Sequence, residues 1–456
     1  MFRDDLDQLL FRPRPLRLQH NAKNNAAHDS YCVVGNDRTA LFNLIAVTDN
    51  LSAELIYQVK RIMQIKEPAT AHTVPVWRLA FRAGFLLAGA FAVLGMTRWL
   101  YWMWWPQNWD FTVLPVWWHA HEMVFGFALP VVAGFLLTAV AAWTGVPETS
   151  GGRLKILFGL WLIARVVLWF LPEWLPLAWL AEMLFIALLM YELTTRVRAV
   201  RQWRNMLFTP VLFILALLSS ASYWSAQNPL LSERIHYSAV WMITVLVVII
   251  GGRVIPMFTG NRIGQKIAAL PNWLDYLAIG ITALIGILTM LWPWQQSILW
   301  LTLLCTAGFI IHCARLTHWQ GWKTTGIRLL WSMHVSYLCI PLAMLGLAIA
   351  AGDPAATKNL IHLLAIGTIG GMILAMMSRV SLGHTGRPLE VPTYIAVAFG
   401  LVFAAAIVRA FLPLLDVVYT LWAWRISAVL WIVAFTLFLV RYAPMLPQRR
   451  VDGKPG

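Results

Sequence analysis

The sequence predicts an all-α integral membrane protein with twelve transmembrane helices, both termini in the cytoplasm and a pseudo-threefold repeat of four-helix units. Three observations lead there. Of 456 residues, 60% are apolar and only 12% charged, against roughly half and a quarter in soluble domains. Apolar blocks of about 20 residues, the length that crosses a hydrocarbon core, recur from Leu79 to the C-terminus. A His and a Thr-Gly pair return at a fixed spacing in three of those blocks.

The first half of the chain places spans at 79–101, 117–143, 154–171, 174–195, 206–226 and 237–258. The second half places them at 273–292, 297–314, 328–350, 360–380, 391–412 and 421–440. Domain boundaries follow: a polar cytoplasmic extension at 1–75, a twelve-helix domain at 76–445 and a tail at 446–456. The extension has no sustained helical period, and Met63 offers an alternative start before the first span.

The net charge of +15 is read against the bilayer rather than as a nucleic-acid footprint, because basic residues collect in cytoplasmic loops. The connections after spans 2, 4, 6, 8 and 10 carry Arg153 and Lys155; Arg196, Arg198, Arg201 and Arg204; Arg262 and Lys266; Arg315 and Lys323; and Arg387. The alternate connections hold Arg234, offset by Glu233, and Lys358, near Asp353. The Trp-rich stretch 101–118 therefore faces outward. The four cysteines form no CxxC or CxxCH, which excludes covalent c-type haem.

Repeats locate the chemistry. Thr144-Gly145, Thr259-Gly260 and Thr385-Gly386 follow spans 2, 6 and 10, and counting back 23 residues from each Thr gives His121, His236 and His362. Arg253 and Arg379 each lie 17 residues after their His; span 2 has Thr138 there instead. At a rise of 1.5 Å per residue, 17 residues cover about 25 Å, so His and Arg sit in opposite leaflets. Three imidazoles at one depth suit a metal or a haem, whereas a lone interfacial His is ordinarily a hydrogen-bonded helix-end residue. His119 joins the trio as a candidate metal ligand, although His119 and His121, two apart, cannot both face one site on a regular helix. His334 and His384 stand near the cytoplasmic face as a second candidate metal pair. His312 and His318, among basic residues, are expected to be solvated. Arg409 and Arg425 bracket a short outer loop and suit carboxylates such as haem propionates, or snorkel to the interface. Arg165 and Glu182, at similar depth, suit a structural ion pair, and Glu122 adjoins His121 as a partner for a ligand imidazole.

WHAHEMVFGFALPVVAGFLLTAVAAWTG at 118–145, GGRVIPMFTGN at 251–261 and HLLAIGTIGGMILAMMSRVSLGHTGRP at 362–388 resemble the NnrS family from about Met63 onward. The resemblance implies a bacterial inner-membrane protein with haem b and copper, connected with nitric oxide response and denitrification. A more distant architectural likeness joins it to the catalytic subunits of haem–copper oxidases and nitric oxide reductases. That likeness implies His121 and His362 at a b-type haem, His236 at copper, and Arg409 with Arg425 at the propionates. No adjacent His-His pair follows span 7 and span 10 has no close His pair, which argues against a complete binuclear site; fold likeness carries function only weakly.

Nitric oxide is then the expected small ligand, lipid the surroundings, a quinol or partner protein the electron donor for any conversion, and nucleic acid no partner. Two other classes stay open. One is a cofactor-free secondary transporter using its buried ionisable groups. The other is a haem-bearing assembly factor for a respiratory enzyme.

Overall fold

A computed structural model describes residues 74–109, 112–293 and 298–453, all within the unit Glu67–Gly456. The expected extension at 1–75, with Met63, lies outside the described residues but for Val74 and Pro75. The described chain is helical, with no strand. The helices are α1 (Ala80–Trp104), α2 (Pro115–Thr144), α3 (Gly152–Phe170), α4 (Leu175–Ala199), α5 (Phe208–Trp224) and α6 (Pro229–Ile263). They continue as α7 (Asn272–Leu291), α8 (Ile298–His318), α9 (Arg328–Ile349), α10 (Pro354–His384), α11 (Thr393–Leu415) and α12 (Thr420–Tyr442).

Eleven of these, among the described residues, are long and apolar enough to cross a membrane. The exception is α3, which carries Arg153, Lys155 and Arg165 in 19 residues. Two helices run well past the hydropathic blocks. The 35 residues of α6 measure about 52 Å at 1.5 Å per residue, against a core of about 30 Å. Hydropathy marks the part that lipid tolerates, while capping marks where the helix ends. Pro229 opens α6, with the Asn228 side chain accepting from the Leu231 amide at 3.1 Å. Pro354 opens α10 behind Asp353, which accepts from the Ala355 and Ala356 amides. Gly145 and Gly264, both at φ 68°, close α2 and α6 as left-handed caps.

Packing is between chain neighbours, closed by α12 against α1, with α2, α6 and α10 also meeting non-neighbours. These three are the most enclosed: 78%, 78% and 89% of their apolar stretches are buried, against 33% for α7 and 28% for α8. Within the second and third groups of four helices the second is the most buried and the fourth the least. The helices bearing the repeated histidines thus form the inner layer. An apolar cavity of about 60 Å³ lies among α1, α2, α6 and α10, lined by residues such as Phe85, Val131, Leu246, Ile369 and Met376.

Two of the inner helices contain a π-helical stretch, Glu122–Ala128 in α2 and Leu363–Gly370 in α10. Each starts immediately after the repeated His. A π turn takes one residue more than an α turn, re-aims the side chains around it and is found disproportionately at functional sites.

Candidate functional site

The repeated histidines lie near the Trp-rich end of the bundle, in a layer that begins with His121. This residue ends the first α segment of α2 and is fully buried. Its Nδ1 is 3.1 Å from the Ser222 hydroxyl and its Nε2 3.3 Å from a Glu182 oxygen. Trp117 stacks on the ring, with centroids 4.8 Å apart, and donates its indole N–H to the Ser222 carbonyl at 2.9 Å. On α6, His236 meets the same Ser222 hydroxyl through Nε2 at 2.9 Å and the Ser232 hydroxyl through Nδ1 at 3.2 Å. Ser222, on α5, therefore joins two repeat histidines whose ring centroids are 6.2 Å apart. One hydroxyl has one proton to give, so Ser222 can donate to only one of the two rings.

Beneath His121 lies a buried ion network. Arg165 donates to Glu182 and sits 3.1 Å from Glu122. Glu182 also accepts from Ser219 and, at 3.3 Å, from the Tyr223 hydroxyl. The Arg165–Glu182 pair is the one their depth suggested; Glu122, expected beside a ligand imidazole, serves Arg165 instead. Arg98 lies within electrostatic range of Glu122. Two carboxylates thus face two guanidinium groups, and the arrangement needs no charge on His121.

The other half of the layer is built on α10. His362 ends the first α segment of that helix, and its Nδ1–H donates to the Lys358 carbonyl at 2.9 Å. That bond fixes the tautomer and leaves the Nε2 lone pair for another partner. His119 lies within electrostatic range of His362 on one side and His236 on the other. Its ring stacks on Trp99 with centroids 4.2 Å apart, and its Nδ1 is buried without a hydrogen-bond partner. Arg409 lies in range of both His119 and His362, donates to Asn359 at 2.6 Å and covers the Trp424 ring. Arg425 is held apart from it, donating to the Met103 carbonyl at 2.6 Å over the Trp104 ring.

Four imidazoles, His121, His236, His119 and His362, thus gather at this end of the inner helices. The expected grouping differs in one respect. His362 stands with His119, while His121 turns to Ser222 and Glu182, as two positions 200° apart on the α-helical turn before the π stretch require.

At the opposite end, His334 on α9 meets the Thr259 hydroxyl at 2.9 Å, with Nδ1 unpartnered. His384 packs on Phe81, and its carbonyl accepts from Arg450 at 3.1 Å. Their neighbours are thus different residues. His312, expected in solvent, is instead buried and bonded to the Tyr337 hydroxyl at 2.8 Å and Thr282 at 3.1 Å. The helix face it occupies turns to α7 and α9, and hydroxyls replace the water it gives up. His318, partly exposed, bonds to the Ala268 carbonyl at 2.6 Å. No three His, Cys, Asp or Glu side chains converge on a metal position among the described residues.

Sequence reasoning missed Ser219, Ser222, Tyr223, Trp99 and Asn359. A signal existed for some of them: Ser219, Ser222 and Tyr223 form a polar run at helical spacing inside an apolar span, and Asn359 precedes His362 by three residues.

The family model described as NnrS protein matches residues 75–450, which takes in every helix above. No curated protein matches the chain.

Proposed function

We propose that this chain, which belongs to the NnrS family, is a twelve-span inner-membrane protein that binds haem b and serves the nitric oxide response associated with denitrification. The observation that carries the reading is the buried, unpartnered Nδ1 of His119, with His362 and Arg409 within electrostatic range of it. A buried imidazole nitrogen without a partner is costly unless something takes its place, and Nδ1 of His119 is such an atom. His362 offers a lone pair at Nε2 because the Lys358 carbonyl holds its proton at Nδ1. This donor set fits a haem: His362 and His119 would be the residues to hold it, and Arg409 would be the cation for a propionate. When bound, haem supplies an iron atom able to take nitric oxide. The Lys358 carbonyl holds the proton of His362 on Nδ1, and Trp99 stacks on His119. An apolar cavity begins about seven residues further along α6 and α10, and such a cavity suits a small apolar gas.

Copper, which the family resemblance implies, finds a poorer fit. Both nitrogens of His121 and of His236 already have hydrogen-bond partners, so no copper site is assigned. His334 and His384 do not share neighbours and are given no metal. Conversion of nitric oxide, as opposed to its binding, would draw electrons from a quinol or a protein partner.

The test is an absorbance spectrum of the purified full chain, oxidised and dithionite-reduced, with nitric oxide added and iron quantified. We expect near-stoichiometric iron and a Soret band that moves with nitric oxide. His362→Ala should lose most of the haem, whereas His121→Ala should keep it. Colourless, iron-free protein from haem-replete cells would overturn the reading. It would favour a cofactor-free transporter, for which the buried Glu122–Arg165–Glu182 network would be the substrate or proton path.

A further inference from the structure

A second cavity lies away from the histidine layer. It lies at the other, Arg-rich end, between the α4–α5 connection, α6, α7 and α8, has a volume of about 440 Å³ and opens at the surface of the bundle. Its wall carries three guanidinium groups, from Arg204, Arg253 and Arg315, and one carboxylate, from Asp275. Arg315 is buried and pairs with Asp275 at 3.0 Å, and it donates to Tyr337 and, at 3.3 Å, to the Val248 carbonyl. That carboxylate is therefore already spent on the deepest cation. Arg253 has neutral oxygens only as hydrogen-bond partners: Asn205 Oδ1 at 2.8 Å and the Arg204 carbonyl at 3.4 Å. Arg204 is exposed at the rim, and no ion pair of Arg204 or Arg253 is found among the described residues.

The cavity's shape is itself set for a cation. Gly252 lines it, and a Cβ there would occupy the position of the Arg315 guanidinium. The absence of a side chain at Gly252 lets Arg315 lie flat against α6. Above the guanidinium groups, Trp203 and Tyr276 line the rim and are each more than 60% exposed to the surroundings of the bundle. Aromatic side chains of this kind settle at the level of lipid headgroups, and basic pockets between helices at a cytoplasmic face take anionic headgroups. Apart from Asn272, the remaining wall side chains, Leu207, Val248, Ile249 and Ile279, are apolar.

We propose that this cavity binds the phosphate group of an anionic ligand, with Arg253 and Arg204 as its cations and Arg315, neutralised by Asp275, as the floor. Two net positive charges at the mouth select against a neutral quinol headgroup. The rim aromatics and the apolar wall point to a phospholipid, while free phosphate shares the same chemistry. Arg253 recurs in the repeat as Arg379, but Arg379 covers the Phe258 ring, so the site belongs to the second four-helix unit. It stands independently of the haem.

The test uses the full chain released from detergent in native mass spectrometry. Phosphatidylglycerol, phosphatidylcholine, inorganic phosphate and decylubiquinone are each offered separately. We expect one phosphatidylglycerol retained in preference to phosphatidylcholine, and retention about tenfold weaker or more in Arg204→Gln/Arg253→Gln. Arg204→Lys/Arg253→Lys should stay closer to wild type, because it keeps the charge and loses only the fork. Phosphate retained with the same dependence on the two arginines would identify the free anion as the source. Equal retention of phosphatidylglycerol and phosphatidylcholine would overturn the proposal. So would retention unchanged in the Gln variant while its unliganded melting temperature matches wild type, or decylubiquinone alone being retained.

Discussion

Glu182 is the residue on which the buried polar groups converge. It takes Arg165, Ser219, Tyr223 and His121, and its replacement leaves Arg165 facing Glu122 alone in a medium that cannot hydrate it. Breaking a buried pair from one side is costly because the surviving charge stays buried. Glu182→Ala should therefore destabilise the protein by about 3 kcal/mol or more, and Glu182→Gln by less, since its carbonyl still accepts from Arg165. Thermal unfolding in detergent, followed by tryptophan fluorescence, measures both; equal midpoints for wild type and Glu182→Ala would refute this account. The depth match of Arg165 and Glu182 was readable in the chain because two charges in apolar spans have few places to go. Ser222 was not readable as a bridge, because a serine inside a span ordinarily bonds to its own helix. Only the crossing of α5 with α2 and α6 brings two imidazoles to its one hydroxyl. His312 escaped for the same reason. A histidine near basic residues at a helix end suggests solvent until the facing helix is known to carry Tyr337.

At the scale of the helix, hydropathy located every block to within a few residues except at the two longest helices, where polar flanks remain helical outside the apolar stretch. It could not show the π stretches. The His-to-Thr spacing is 23 residues in α2, α6 and α10 alike, yet only α2 and α10 accommodate a π turn after their His. The residue count is shared while the rotation is not, and rotation decides which neighbour each imidazole meets. Helix crossing is likewise a matter of geometry that composition hints at. Gly84 on α1 meets Gly134 on α2, and a Cβ at Gly84 would stand 2.8 Å from the Pro130 carbonyl and 3.1 Å from the Gly134 Cα. Small residues permit such close backbone approach in membranes, and backbone cannot move aside as a side chain can. Gly84→Ala should cost about 1–3 kcal/mol. Gly159→Ala, with nothing within 4 Å of the added carbon, should be neutral or slightly stabilising by helix propensity. The pair of melting curves separates crossing distance from propensity; similar midpoints would rule out the close approach as a constraint.

For the molecule as a whole, the charge asymmetry of the connections and the burial of the helices lead to one arrangement. The inner layer is the second helix of each group of four; all three helices bear the repeated His at one end, and α6 and α10 bear Arg253 and Arg379 toward the other. Charges at the Trp-rich end are few and partly compensated: Lys358 pairs with Glu233 at 3.0 Å across α6 and α10. The Arg-rich end keeps its excess, with Arg198, Arg201 and Arg204 in or beside the α4–α5 connection. Since basic loops are retained in the cytoplasm, the histidine layer should lie toward the periplasm and both termini in the cytoplasm, with α3 crossing as a twelfth span. Inside α3, Arg165 is held by Glu122 and Glu182, and Arg153 near its start pairs with Glu192 at 3.4 Å. The helix can therefore lie in a bilayer despite failing a simple apolarity test: one charge is neutralised within it, and Arg153 and Lys155 sit in its first turn. Cysteine accessibility in intact spheroplasts decides the arrangement. Gln107→Cys, in the exposed α1–α2 connection, should react with a membrane-impermeant maleimide added outside. Ala199→Cys, at the exposed end of α4, should react only after permeabilisation, against the background of the native cysteines. Labelling of both from outside would place α3 out of the membrane, because an uncrossed α3 would bring the end of α4 to the side of Gln107. The reverse pattern would invert the whole bundle and set the histidine layer toward the cytoplasm.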